Sequence, residues 1–310
     1  MRNRPDMGDR TVFSTKTALA EGFTAGQLRA MREERLLQGV YSTEPDLTTL
    51  HVRARAALVA AGPSATLCET TALRLAGVSM PRRFEADERV HVHVAHDRSG
   101  PRRSGVCRHR STQQLPPTIV AGLPSLNLAE CWLQTAARAT DEELVVLGDG
   151  LMRRPRPPDH LPYLVEPQAL AAAVADSPRR PGIRAARRAI EIVRPRTDSP
   201  MESVTRFHLV RSGLPMPLVN HPILDDTGWP IYFIDMAYVD AMVAVEYDGA
   251  DHFTNPAQTI ADLRRRRHLE ADGWRFIIVT ADDLADQMIT AVGLVRTALR
   301  DRAARPPKSR

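Results

Sequence analysis

Between Pro230 and Leu284, charge sits where an apolar strand should not tolerate it. The run PIYFIDMAYVDAMVAVEYDGADHFTNPAQTIADLRRRRHLEADGWRFIIVTADDL carries Asp235, Glu246, Asp248, His252 and Asp262 within 28 residues. Three of the carboxylates, Asp235, Glu246 and Asp248, lie in or at the ends of strand-like apolar runs. Side chains alternate along a strand, so Val243, Val245 and Tyr247 share one face and Ala244, Glu246 and Asp248 share the other. A carboxylate buried beside such strands is costly unless something compensates it, and a divalent cation is one compensator.

The surrounding pattern defines a compact α/β segment. Ser199 is placed to cap a helix that starts at Pro200 and stops at Gly213. Strands are expected at 216–224, 230–238 and 241–247, the last two forming a hairpin around Val239 and Asp240 that sets Asp235 beside Glu246. A helix over 256–272, the strand WRFIIVT and a helix over 281–300 complete the order αβββαβα, which predicts a mixed sheet flanked by helices. His252 follows the carboxylates in a loop and titrates near neutral pH, as a general base or the holder of a water requires. Asp262, Arg265 and Arg266 share a helical face at i, i+3 and i+4; they either orient the site and contact a phosphate, or form a solvated ion-pair surface.

Upstream, Ser14 or Thr15 begins a helix that Gly22 ends, and Thr24 begins a second running to about Glu34, with Leu28, Met31 and Leu36 near one face. LLQGVYS then reads as a hairpin strand with a glycine turn. This is the order of a winged helix-turn-helix, in which Gln27, Arg29, Arg32 and Arg35 would face DNA from the second helix. The plain alternative is a helical hairpin with a solvated basic face. Helices are expected over 50–61 and from Ser64 or Thr66 to Gly77. The alternating ERVHVHVAH predicts a strand with Val90, Val92 and Val94 inward and His91 and His93 toward solvent, with no nearby Cys, Asp or Glu to complete a ligand set. A strand at 105–110, two helices over 126–151, and helices at 167–175 and 183–193 between proline-rich breaks follow. The expected layout is a winged-helix domain over 1–48, a mixed α/β region over 49–152, a helical connector over 153–198, an endonuclease-like domain over 199–300 and a disordered tail over 301–310.

Composition sets limits. The basic residues comprise 40 arginines and two lysines, Lys16 and Lys308, so a catalytic lysine in the core is excluded. Residues 1–120 hold 18 basic against 12 acidic side chains, which makes this half the expected nucleic-acid surface. Cys68, Cys107 and Cys131 are widely spaced and match neither a disulfide framework nor a zinc motif. No run approaches the roughly 20 apolar residues of a membrane span. The expectation is a reduced, cytoplasmic protein without membrane contact.

Two resemblances sharpen this. Ser199-Pro200-Met201-Glu202-Ser203, Ile234-Asp235, Val245-Glu246-Tyr247-Asp248-Gly249, His252, Asp262 with Arg265, and Gly273-Trp274 resemble the small domain related to very-short-patch-repair endonucleases, in the PD-(D/E)XK nuclease superfamily. This covers about a third of the chain. It implies a restriction-endonuclease-like sheet, a metal site at Asp235 and Glu246 with Glu202 contributing from its helix, and His252 near the scissile phosphate. Asp248 stands where the superfamily usually has lysine; the repair-endonuclease branch is similar in relying on histidine. FTAGQLRAMREERLLQGVYS resembles the winged helix of AbiEi-type antitoxins. Together they imply a metal-dependent DNA endonuclease using Mg²⁺, or Mn²⁺, on double-stranded DNA, with Asp235, Glu246, Asp248, His252 and Asp262 as its catalytic set. The alternative is a catalytically silent DNA-binding regulator or antitoxin-like protein with a toxin partner. An RNA target is the lesser expectation, because A-form RNA has a major groove too narrow for a helix.

Overall fold

A computed structural model describes residues 11–31, 34–95, 102–111, 115–153, 163–248 and 256–304, with side chains from 263 onward in the last segment. The architecture is mixed α and β: thirteen helices and twelve strands in three sheets among the described residues. None of these helices is long and apolar enough to cross a membrane. The chain forms two compact units, Met1–Arg138 with Asp176–Ile183, and Ala139–Ala175 with Arg184–Arg310. The segment expected as a connector is thus divided between them.

The first unit opens with β1 (Val12–Ser14), α1 (Thr15–Ala20), α2 (Ala25–Ala30), β2 (Arg35–Leu37) and β3 (Val40–Ser42). The strands form an antiparallel sheet in the order β1-β3-β2. Ser14 caps α1 by accepting from the Thr17 N–H at 3.0 Å, and Gly22 leaves it with φ +91°. Phe13, Ala18, Phe23, Leu28 and Met31 make the core beneath both helices. α2 is shorter than its sequence suggests. Met31 leaves helical geometry to fill this core, and Arg35 and Leu36 belong to β2 rather than to the helix.

α3 (Leu50–Ala61) packs on this sheet and on a second one built from β4 (Thr66–Leu67), β5 (Val90–Ala95), β6 (Val106–Ser111), β7 (Thr118–Val120) and β8 (Leu123–Ser125), in the order β6-β5-β4-β8-β7. The helix expected from Ser64 or Thr66 begins only at Glu69, as α4 (Glu69–Leu75). Thr66 and Leu67 are taken up by pairing with His93 and Val92. α5 (Arg82–Glu85) and α6 (Leu128–Thr135) complete this part. β5 is an interior strand that packs against both α3 and α4. Its histidines therefore do not face solvent as expected: His91 is 1% and His93 7% exposed.

In the second unit, α7 (Asp141–Leu151), α8 (Pro167–Ala175), α9 (Ile183–Ile190) and α10 (Pro200–Arg211) precede a sheet of β9 (Leu218–Leu224), β10 (Pro230–Tyr238), β11 (Val243–Tyr247) and β12 (Arg275–Val279). The order is β12-β11-β10-β9, with β11 and β12 parallel and the other neighbours antiparallel. Apolar residues from both ends of the chain segment close one face: Leu209 and Leu214 with Val292 and Val295, against Met236, Tyr238, Val243, Val245 and Val279. α11 (Pro256–Ala271) covers the other, where Leu269 and Trp274 meet Ile234, Ala237 and Ala244. The single helix expected over 281–300 is two, α12 (Ala281–Ala285) and α13 (Ile289–Ala304). Gln287 and Met288 between them take left-handed backbone angles as Met288 turns into the core. α13 also takes in residues 301–304, which were expected to be a disordered tail.

α10 is fastened to α7 by a buried ion pair between the Arg206 guanidinium and the Asp149 carboxylate. Asp149 also accepts from the Arg194 backbone N–H at 2.8 Å and from the Thr197 hydroxyl at 3.3 Å. Removing one partner of such a pair leaves an uncompensated buried charge. Asp149→Ala is expected to lower unfolding stability by about 3–5 kcal/mol, read as a shift of the urea midpoint. A change below about 1 kcal/mol would show that the pair is not buried as described.

Candidate functional site

β10 and β11 pair with Met236 opposite Val245, Ala237 opposite Ala244 and Tyr238 opposite Val243. Asp235 on β10 and Glu246 on β11 are the next residues beyond that pairing. Glu246 is 7% exposed and is held from two sides. Its Oε1 accepts from the Tyr232 hydroxyl, and its Oε2 lies 3.4 Å from Nη2 of Arg266. Asp235 Oδ2 accepts from the Tyr247 backbone N–H at 3.3 Å. Burial first, and then the Glu246 carboxylate, push the Tyr232 phenol well above its usual pKa, so it remains a donor. Arg265 lies 5.4 Å over the Tyr232 ring and Arg266 5.8 Å over the Phe276 ring, within cation–π range.

Glu246, Tyr232, Arg265 and Arg266 thus form one linked group on β10, β11 and α11, with Asp235 bonded to the backbone of the residue after Glu246. Asp248 follows β11, half-buried, and its backbone N–H donates to the Val279 carbonyl at 2.8 Å. Glu202 serves its own helix. Its N–H bonds to Ser199 Oγ at 3.2 Å, and its Oε2 accepts from the Asp198 N–H at 3.0 Å. His252 and the side chain of Asp262 lie outside the described residues; the Asp262 backbone belongs to α11. Tyr232 escaped the sequence analysis. Its only signal is a phenol three residues before Asp235, on a strand whose other residues are mostly apolar.

The residues expected to read DNA are not four polar positions on one helix. Gln27 closes a capping box on α2, its Oε1 accepting from the Thr24 N–H at 2.8 Å. Arg29 is exposed on the last turn of α2, and Arg35 is exposed at the start of β2. Arg32 lies outside the described residues.

A second cluster, in the first unit, corrects the expectation that no Cys, Asp or Glu lies near the histidines of β5. β5 and β6 run parallel with His91 beside Cys107 and His93 beside His109. One ligand atom each from His91, Cys107 and His109 falls within 4.8 Å of the others. His91 Nδ1 is 2.9 Å from His109 Nε2, the rings stacked at 5.1 Å. Glu69 Oε1 lies 3.1 Å from His109 Nδ1, while Glu69 Oε2 accepts from Arg138 Nε at 2.8 Å. Arg138 also reaches Asp87 at 3.3 Å and the Thr70 hydroxyl at 3.1 Å. Burial pushes His91 down to about 4 and lowers His109, so both rings are neutral near pH 7. Burial raises the Cys107 thiol. Cys68 and Cys131 are buried and raised in the same way, Cys131 to about 12. The available sequence signal was a pair of strands reading His-x-His and Cys-x-His.

A hydrogen bond to a buried carboxylate is worth about 1.5–3 kcal/mol. Tyr232→Phe is expected to cost that much in urea unfolding of the wild type and much less in a Glu246→Gln background. Equal costs in the two backgrounds would show that Tyr232 and Glu246 are uncoupled.

No family model matches the chain. Two uncharacterized proteins, from two strains of Mycobacterium tuberculosis, are each 33% identical to it over 112 residues, 36% of this chain and 41% of the relative. The chain thus aligns with about two fifths of the length of the curated relatives it matches, and the likeness carries sequence relatedness without a function.

Proposed function

We propose that the protein is a metal-dependent endonuclease acting on duplex DNA, with its active site at the end of the β10–β11 hairpin. The supporting observation is a buried Glu246 on β11 with Asp235 reaching the next residue's backbone N–H from the adjacent strand, beside an apolar core. Both offer only oxygen donors, the set that suits Mg²⁺ or Mn²⁺. Such an ion, when bound, supplies a Lewis acid for the phosphate oxygens and lowers the pKa of a bound water.

The chain's own residues have separate tasks. Tyr232 fixes one oxygen of Glu246 and so orients the carboxylate. Arg264, Arg265, Arg266 and Arg267 on α11 give a dense positive stretch for phosphate oxygens. His252, which precedes α11 in the sequence, is assigned proton transfer, because arginine stays protonated and no lysine lies between positions 17 and 307. The strand-helix-helix-hairpin of residues 12–42 is taken as a winged helix that holds duplex DNA through phosphate contacts from Arg29, Arg32 and Arg35.

A second function, that of a silent DNA-binding regulator or antitoxin-like protein with a toxin partner, is favoured by a specific observation. Both oxygens of Glu246 already have partners in Tyr232 and Arg266, so its charge is compensated without a metal. Plasmid DNA with Mg²⁺ or Mn²⁺ separates the two. The nuclease is expected to nick or linearise plasmid, and Asp235→Asn and Glu246→Gln are each expected to lower the rate by at least 100-fold, about 2.7 kcal/mol of transition-state stabilisation. Salt-dependent DNA binding with no cleavage under any of these conditions would establish the silent regulator instead.

A further inference from the structure

We propose that His91, Cys107 and His109 form a binding site for a zinc-class divalent transition metal. The site belongs to the first unit, and its donors differ in kind from the carboxylates of the hairpin. Two imidazole nitrogens and a sulfur suit Zn²⁺, Co²⁺ or Fe²⁺ and suit Mg²⁺ poorly.

The geometry carries the assignment in three ways. The donors come from two adjacent parallel strands in fixed register, His91 directly beside Cys107 and His109 one pleat further on. A rigid sheet therefore positions all three, which is what a preorganised site needs. The donor atoms already converge: all three lie within 4.8 Å of one another, and the two ring nitrogens are 2.9 Å apart. Two nitrogens on one tetrahedral zinc, each about 2.0–2.1 Å from the metal, sit roughly 3.3 Å apart, so binding needs a separation of only a few tenths of an ångström. The outer nitrogens of the rings face carboxylates: His109 Nδ1 is 3.1 Å from Glu69, and His91 Nε2 is 3.5 Å from Asp87. A carboxylate behind each ligating histidine is the usual means of fixing its tautomer and raising its basicity.

Without a metal, one proton shared between His91 Nδ1 and His109 Nε2 satisfies the pair, and Arg138 donates to His91 Nε2 from 3.3 Å. Metal binding takes the place of that shared proton, which moves to His91 Nε2 on the side of Asp87 as Arg138 gives up its contact there, and the thiol proton of Cys107 passes to solvent. The His109 side chain is 28% exposed, which gives the ion a route in and leaves the fourth position for water. Glu69 is held ready for its part. It begins α4 in a left-handed backbone conformation, φ +47°, and Arg138 grips its other oxygen.

The test uses the full-length protein stripped with chelator and titrated with Co²⁺, whose absorption reports both tetrahedral geometry and a thiolate ligand. One equivalent of Co²⁺ per chain with a thiolate charge-transfer band, displaced by Zn²⁺, is expected. Cys107→Ser should abolish that band, and Glu69→Gln, which keeps all three ligands, should weaken binding by about 10–100-fold. The double variant Asp235→Asn with Glu246→Gln should keep the band, separating this site from the proposed nuclease centre. Circular dichroism shows that each variant is folded before it is scored. Folded wild type with no thiolate band, or a band that survives in Cys107→Ser, overturns the assignment.

Discussion

Among the described residues most buried carboxylates are compensated by arginine, while Glu202 takes the backbone N–H of Asp198. Glu246 in the second sheet meets Arg266, Asp149 on α7 meets Arg206, and Glu69 at the start of α4 meets Arg138. The guanidinium is the appropriate cation for the task. It is planar, weakly hydrated and able to satisfy several acceptors at once, as Arg138 does with Glu69, Asp87 and Thr70. The same choice has a chemical consequence. Arginine does not deprotonate near neutral pH, so residues that hold charge in place here cannot also shuttle protons. In the hairpin site that leaves histidine or water to move a proton, and in the first unit burial, with Arg138 beside them, keeps the imidazoles neutral.

Much of the second sheet was legible because its signals are local. Ser199 and Pro200 mark the start of α10, the turn at Val239 and Asp240 fixes the hairpin, and period-two apolar runs mark the strands. From these, strand alternation alone brought Asp235 toward Glu246. What engages Glu246 was legible only in part: Arg266 on α11 was read as a residue that could orient the site, whereas Tyr232 lies three residues from Asp235 on the same strand, where regular alternation puts them on opposite faces. The break between α12 and α13 was hidden for a related reason. Helical periodicity runs through it, and the need to bury Met288 decides where the helix stops.

The histidines of β5 show the limit of alternation as evidence. Period two separates Val90, Val92 and Val94 from His91 and His93 correctly, but it says nothing about what covers each face. Polar composition suggested solvent, whereas α4 and the Glu69, Asp87 and Arg138 network cover the histidine face instead. The partnership with Cys107 and His109 depends on β5 and β6 running parallel. A connection as short as the one between them ordinarily makes an antiparallel hairpin, which would have given another register and other neighbours. The two-residue strand β4 supplies the remaining surprise, since so short a strand leaves no periodicity to detect.

Donor chemistry keeps the two proposed metal sites distinct. Oxygen donors on β10 and β11 suit a hard ion that keeps most of its water, and the nitrogen and sulfur donors on β5 and β6 suit a borderline-soft ion. First-row transition metals bind most nitrogen, oxygen and sulfur sites more strongly than Mg²⁺ does, so a single shared pool of zinc would compete for both. Partition then depends on ligand number and preorganisation. The His-Cys-His set offers three converging donors with carboxylates behind the rings, against two carboxylates at the hairpin, both already engaged by hydrogen bonds. If both proposals hold, zinc would fill the strand pair first and Mg²⁺ would be left to the hairpin. The ordering requires no contact between the two sites, because it follows from the difference between a sulfur and nitrogen donor set and an oxygen one.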